Sequence, residues 1–197
     1  MASSPPSAKE LPKPVAVLLS IVCVLVAIGA LIGLLSSFFA DPPAPPDPCT
    51  RLTAGEVARF VPQANQGIPA GKNPRRSCEW RGPHTTLSLN LKAHAKLQRR
   101  SRSGVARSAV QDEWHDGKKH TERRRVRLET SDLGLDSFAR TPPVGHPASY
   151  ATIVFHRSGV SAILTITYAD PTMTVHQAQA QAVEAARIVH GRLPKER

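Results

Sequence analysis

The sequence predicts an α+β protein: a single N-terminal transmembrane helix, then a two-layer domain of antiparallel strands packed with helices. Three observations lead there. Residues 15–40 contain no charged side chain. Toward the other end, segments 150–156 and 160–168 flank Arg157-Ser158-Gly159, and the second alternates Ala162, Leu164 and Ile166 with polar partners, the pattern of a hairpin. Beyond it, Val175, Ala178, Ala182, Ala185 and Val189 recur at helical spacing. Helices beside antiparallel hairpins make two layers around one core. A chain of 197 residues accommodates one such domain and a tail.

The apolar run is bounded by Lys13 and Asp41. About 20 helical residues cross a hydrocarbon core, so the run is long enough to span with some tilt. A cleaved signal is disfavoured, because the best site, after Ala40, places Phe38 at the third position back. A lipoprotein needs a cysteine just after the apolar core, whereas Cys23 lies inside it behind Val22. Lys9 and Lys13 on one flank, against Asp41 and Asp47 on the other, place the N-terminus in the cytoplasm. Residues 1–14 read as a disordered cytoplasmic tail. Residues 41–48, DPPAPPDP, read as an extended proline-rich stalk.

The folded domain is expected over residues 49–193, with 194–197 as a tail. Thr53 and Glu56 form a capping box, and Leu52 and Val57 stand where a hydrophobic staple falls. Val57, Phe60 and Val61 give that short helix its buried face, and Pro62 ends it. Residues 62–77, rich in Gly, Pro and Asn, are expected to be loop. Cys78-Glu79-Trp80 begins a strand, and Leu87, Leu89 and Leu91 alternate along the next. Residues 103–116 are expected to be helical, with Val105, Ala109 and Val110 inward. Residues 119–130 are expected to be extended, with Arg123, Arg125 and Arg127 on one solvated face. The last helix begins near residues 172–174 and is capped by Gly191.

Composition excludes several classes. Hydrophobic residues make up 41% of the chain, too many for a disordered polymer. Three cysteines exclude a disulfide-dense miniprotein, and their spacing is no zinc pattern. Cys49 and Cys78 flank a loop and, outside the cytoplasm, are expected to form a disulfide. No C-x-x-C suggests redox exchange.

Lys and Arg number 26 against 15 Asp and Glu, a formal charge of +11. Anionic lipid or a wall polymer is therefore a candidate partner for Arg123, Arg125 and Arg127. The plainer reading, a solvated face protecting an edge strand, is put first. Nine aromatic residues, none interleaving the arginines, argue against specific nucleic-acid binding.

Glu113, His115, Asp116 and His120 match no metal motif and read as a polar helix end. His84, His94, His146, His156, His176 and His190 read as surface or cap residues. Asp132 and Asp136 read as turn formers. Ser158-Gly159 is a hairpin tip, and neither a nucleophile elbow nor a phosphate-binding glycine loop is present. No catalytic residue, metal site or cofactor is expected.

The stretch Cys49-Thr50-Arg51-Leu52-Thr53-Ala54-Gly55-Glu56-Val57, followed by Cys78-Glu79-Trp80, resembles the P-C-x-L-L-T-x-x-E-V … C-x-W opening of an uncharacterised actinobacterial envelope family. Gly134-Leu135-Asp136-Ser137-Phe138-Ala139 resembles that family's G-L-G-D-E-A-[FY] turn, with departures. Its members are lipoprotein-like or membrane-anchored, and the domain is similar to extracellular sensor domains of actinobacterial receptor kinases. This chain departs in having no lipidation cysteine and no kinase domain. The resemblance brings no catalytic residues. The expected function is thus non-catalytic binding or sensing by a single-pass, membrane-anchored extracytoplasmic domain. The rival is a hydrolase or transferase acting on envelope polymers, with a site assembled from distant residues.

Overall fold

The computed structural model describes residues 22–31, 42–96, 100–116, 124–127, 133, 136–142, 149–170 and 172–195. The chain divides into two compact units, Met1–Ala40 and Asp41–Arg197. Of the apolar run, residues 22–31 form a helix, α1, and the rest lies outside the described residues. Among the described residues no helix is long and apolar enough to cross a membrane.

The second unit is built on one seven-stranded sheet in the order β1-β2-β3-β7-β6-β5-β4, with every neighbouring pair antiparallel. The strands are β1 Ile68–Ala70, β2 Arg75–Arg81, β3 Thr85–Ala93, β4 Arg124–Arg127, β5 Phe138–Thr141, β6 Ser149–Arg157 and β7 Val160–Tyr168. Two meanders, β1-β2-β3 and β4-β5-β6-β7, therefore meet where β3 pairs with β7 from Thr85↔Tyr168 to Ala93↔Val160. The expected β6–β7 hairpin is present. Its two tip residues, Ser158 (φ 47°) and Gly159 (φ 79°), both take the left-handed region that tight hairpin turns require.

The side-chain period of two sorts the sheet into faces. Leu87, Leu89 and Leu91 of β3 share one face with Ala162, Leu164 and Ile166 of β7, and all six are buried. Cys78, Trp80, Ala151, Ile153 and Phe155 extend that face. Two helices cover it, α2 (Ala54–Phe60) and α4 (Val175–Arg192). The expected capping box and staple start α2: Thr53 and Glu56 cap reciprocally, and Leu52 and Val57 are buried. A second box, Thr174 with Gln177, starts α4. Ala178, Ala182, Ala185 and Ala186 form the buried stripe of α4, so its backbone lies close over the sheet. The end of α4 differs from expectation. Gly191 is inside the helix and Leu193 is the cap, because its amide still reaches the His190 and Val189 carbonyls.

The disulfide Cys49–Cys78 ties a 3₁₀ turn, Pro48–Thr50, to β2. Gly67 lies against it. A Cβ there would come within 2.6 Å of both Cys78 Sγ and Trp80 Nε1, so only glycine leaves room.

Three further expectations are corrected. Residues 62–77 are not all loop: they contain β1 and the start of β2, whose exposed residues carry no burial pattern to read. Helix α3 (Arg102–Asp116) exists and Val110 is buried as expected, but the other buried residue is Ala106, while Val105 and Ala109 are half-buried. His94 is 6% exposed and so belongs to the interior, not the surface. Of the strand expected over 119–130, β4 is the described part.

Candidate functional site

Among the described residues, one helix covers the second face of the sheet. Val110 of α3 meets Phe138 and Val154 in a small core, with Trp114 edge-on to Phe138 at 5.2 Å. Helix α3 contacts β6 and β7. Between its flank and β2–β3 a groove of about 450 Å³ is left open, within the range of small-molecule sites.

The register shows how its floor is assembled. Arg75, Lys92, Ser161 and His156 form one row across β2, β3, β7 and β6. Ser77, Asn90, Ile163 and Val154 form the next. Both rows stand on the face opposite Leu91 and Ala162. Ala109, Val110 and Glu113 of α3 make the wall. At one end His94 Nε2 meets Ser161 Oγ at 2.9 Å. Burial, with the nearby charges of Lys92, Arg75 and His156, pushes the His94 ring down to about 4, so it is neutral at physiological pH.

Charge is distributed unevenly here. Glu113, the acid on the wall, is taken by Arg140. Behind α3, Arg107 and Gln111 both hold Asp136, with Arg107 Nε 2.5 Å from Oδ2. Burial raises the Asp136 carboxyl, and these bonds outweigh it, so the acid stays below its ordinary range. His156 Nε2 lies 3.8 Å from the same carboxylate, and its Nδ1 is buried with no partner among the described residues. Burial lowers the His156 ring, while Asp136 pulls the other way. By contrast, no carboxylate among the described residues pairs with Arg75 or Lys92.

A second depression, of about 490 Å³, lies beside α2 and the start of α4. Several of its polar groups are already engaged. Arg59 pairs with Glu184, the Tyr168 hydroxyl donates to Gln181, and Asp170 accepts from Thr172.

Of the residues singled out in the sequence, Cys49 and Cys78 are joined. Arg123 lies outside the described residues. Arg125 and Arg127 lie on β4, opposite Arg140 and Phe138 of β5 and at the far edge of the sheet from the groove. Glu113 and His115 stand at the end of α3, with Asp116 its last residue, and His120 lies outside the described residues. Asp136, read as a turn former, does lie in a turn and is an ion-pair centre as well. The groove residues Arg75, Ser77, Asn90, Lys92 and Ser161 were not singled out. The one signal for them was the alternation that leaves Asn90 and Ser161 on the face opposite the leucines.

Neither a protein-family model nor a curated protein matches the sequence. Among solved structures, the chain is similar to the extracellular domain of PknH from Mycobacterium tuberculosis. The two are 11% identical, with a TM-score of 0.48 over 77% of this chain and 97% of that one.

Proposed function

We propose that residues 49–193 are a non-catalytic binding or sensing domain displayed outside the cytoplasm. Residues 15–40 tether it to the membrane, and the groove beside α3 holds its ligand. The observation that carries this reading is the groove itself. Polar side chains from three strands converge on it, and Arg75, Asn90 and Lys92 among them have no side-chain partner among the described residues. The disulfide favours an oxidising compartment.

The hydrolytic rival would need Ser161 as nucleophile and His94 as base. Their 2.9 Å contact is suitable. Yet no acid among the described residues hydrogen-bonds to His94, and a ring held near 4 is a weak base at neutral pH.

The test is a nuclear magnetic resonance titration of the labelled full chain in neutral detergent with envelope-type small molecules. The panel comprises a glycerol phosphate, an amino sugar and a short muropeptide. Binding is expected to shift Ser77, Asn90 and Ser161 and to vanish in the groove-filling variant Ala109→Trp. Shifts centred elsewhere would reassign the site, and turnover of any probe would make the domain an enzyme.

Attraction of Arg123, Arg125 and Arg127 to anionic lipid or wall polymer is a separate proposal, motivated by their charge. Replacing all three with Gln is expected to weaken cosedimentation with anionic vesicles at low salt while leaving thermal stability nearly unchanged. Equal, poor sedimentation of both proteins would leave these arginines as surface charge.

A further inference from the structure

The groove's ligand class follows from the row Arg75–Lys92–Ser161, and this step rests on the groove being the binding site. Arg75 and Lys92 are direct partners across β2 and β3, so two positive side chains stand on one face of neighbouring strands. Such a like-charged cross-strand pair costs stability, and no carboxylate among the described residues offsets it. Glu113 is bonded to Arg140 and Asp136 to Arg107, so the neighbouring acids are already paired. The same two charges act on the nearby His94 ring, where both help to keep it unprotonated.

Neutral donors surround the pair. The Asn90 amide lies one step along β3 and Ser161 is the next residue across from Lys92, while the Ser77 hydroxyl donates to the Ala70 carbonyl at 3.4 Å. With the proton of the neutral His94 ring on Nε2, Ser161 accepts from the ring and keeps its own proton to donate into the groove. Beyond these donors the lining turns apolar, at Val110, Val154 and Ile163.

We infer that the groove binds a small phosphate monoester, its phosphate between Arg75 and Lys92 and its uncharged body along Val110 and Ile163. A phosphate carries roughly the double charge that two cations neutralise, and its three acceptor oxygens match the surrounding donors better than the two of a carboxylate. A free metabolite and a phospholipid headgroup share this chemistry, so the experiment separates them.

The full chain in neutral detergent is titrated with glycerol phosphate, inorganic phosphate and plain glycerol at low and physiological salt. It is also cosedimented with phosphatidylglycerol vesicles. Glycerol phosphate is expected to shift Ser77, Asn90 and Ser161 and to raise Tm, and its binding should weaken as salt rises. Glycerol should do neither. Arg75→Gln with Lys92→Gln should lose at least about tenfold in affinity, the scale of charge-assisted contacts, and lose the phosphate-induced rise in Tm. It should remain as stable as wild type without ligand, because a repulsion is removed. Arg125→Gln with Arg127→Gln should bind glycerol phosphate as wild type does.

Undiminished binding by the Arg75/Lys92 variant overturns the inference, as does absence of phosphate binding. If vesicles bind through Arg75 and Lys92 while glycerol phosphate does not, a lipid replaces the small molecule. If glycerol or the amino sugar occupies the groove with no dependence on Arg75 and Lys92, the groove stands as a site and only the phosphate assignment falls.

Discussion

His94 shows how much a single ring can dictate. It is 6% exposed, bonded to Ser161, and held at about 4 by burial with help from Lys92, Arg75 and His156. An unfolded histidine titrates near 6.5. Between those values the unfolded chain binds a proton that the native ring refuses, so stability falls as pH drops from about 6.5 to about 4. The loss across that window is on the order of 3 kcal/mol. Urea midpoints from about pH 7 down to pH 4.5 should show it, and His94→Gln should flatten the slope. Gly67 is the second such residue. Gly67→Ala places a methyl against Cys78 Sγ and Trp80 Nε1, an overpacking expected to cost about 1–3 kcal/mol in a denaturant titration. Neither effect is legible in the sequence. His94 is one of 8 histidines, and its environment is made by Ser161, 67 positions away.

At the scale of elements, legibility follows burial pattern. The alternation of Leu87, Leu89 and Leu91 announces β3 because one face is sealed and the other is not. The capping box at Thr53 and Glu56 announces α2 because both partners are three residues apart. Strand β1 stays hidden, since all three of its residues are exposed and its middle one is Pro69. The groove was illegible for a different reason: its floor and wall come from five elements that only the β3–β7 pairing and the passage of α3 bring together. Two element-level outcomes are expected. Serine at both Cys49 and Cys78 frees a loop with a sequence separation of 29, which on the chain-entropy account costs about 3–4 kcal/mol by urea titration. Ala185→Leu in the sealed stripe of α4 pushes that helix off the sheet and should cost about 1–3 kcal/mol in the same measurement.

For the whole molecule, the unit Asp41–Arg197 holds the seven-stranded sheet, the disulfide and both small and large cores. Expressed alone, it is expected to unfold in one calorimetric transition, with a heat-capacity rise of about 2 kcal/mol/K for a domain of this size. Two separate transitions would mean that the two meanders are not joined cooperatively through β3 and β7. The clasp near its ends reaches further. Arg51 donates to the Arg192 carbonyl at 2.9 Å, and Arg192 returns a bond of 2.9 Å to the Arg51 carbonyl. Arg192 also grips Glu56 with both terminal nitrogens, at 2.6 and 2.7 Å, which with Thr53 draws that carboxyl down to about 2. The first and last turns of the folded unit are thus side by side. A polypeptide that enters and leaves at one point is a cassette: it can be spliced into a surface loop of another protein, or have its ends joined and be reopened elsewhere, without its interior being disturbed.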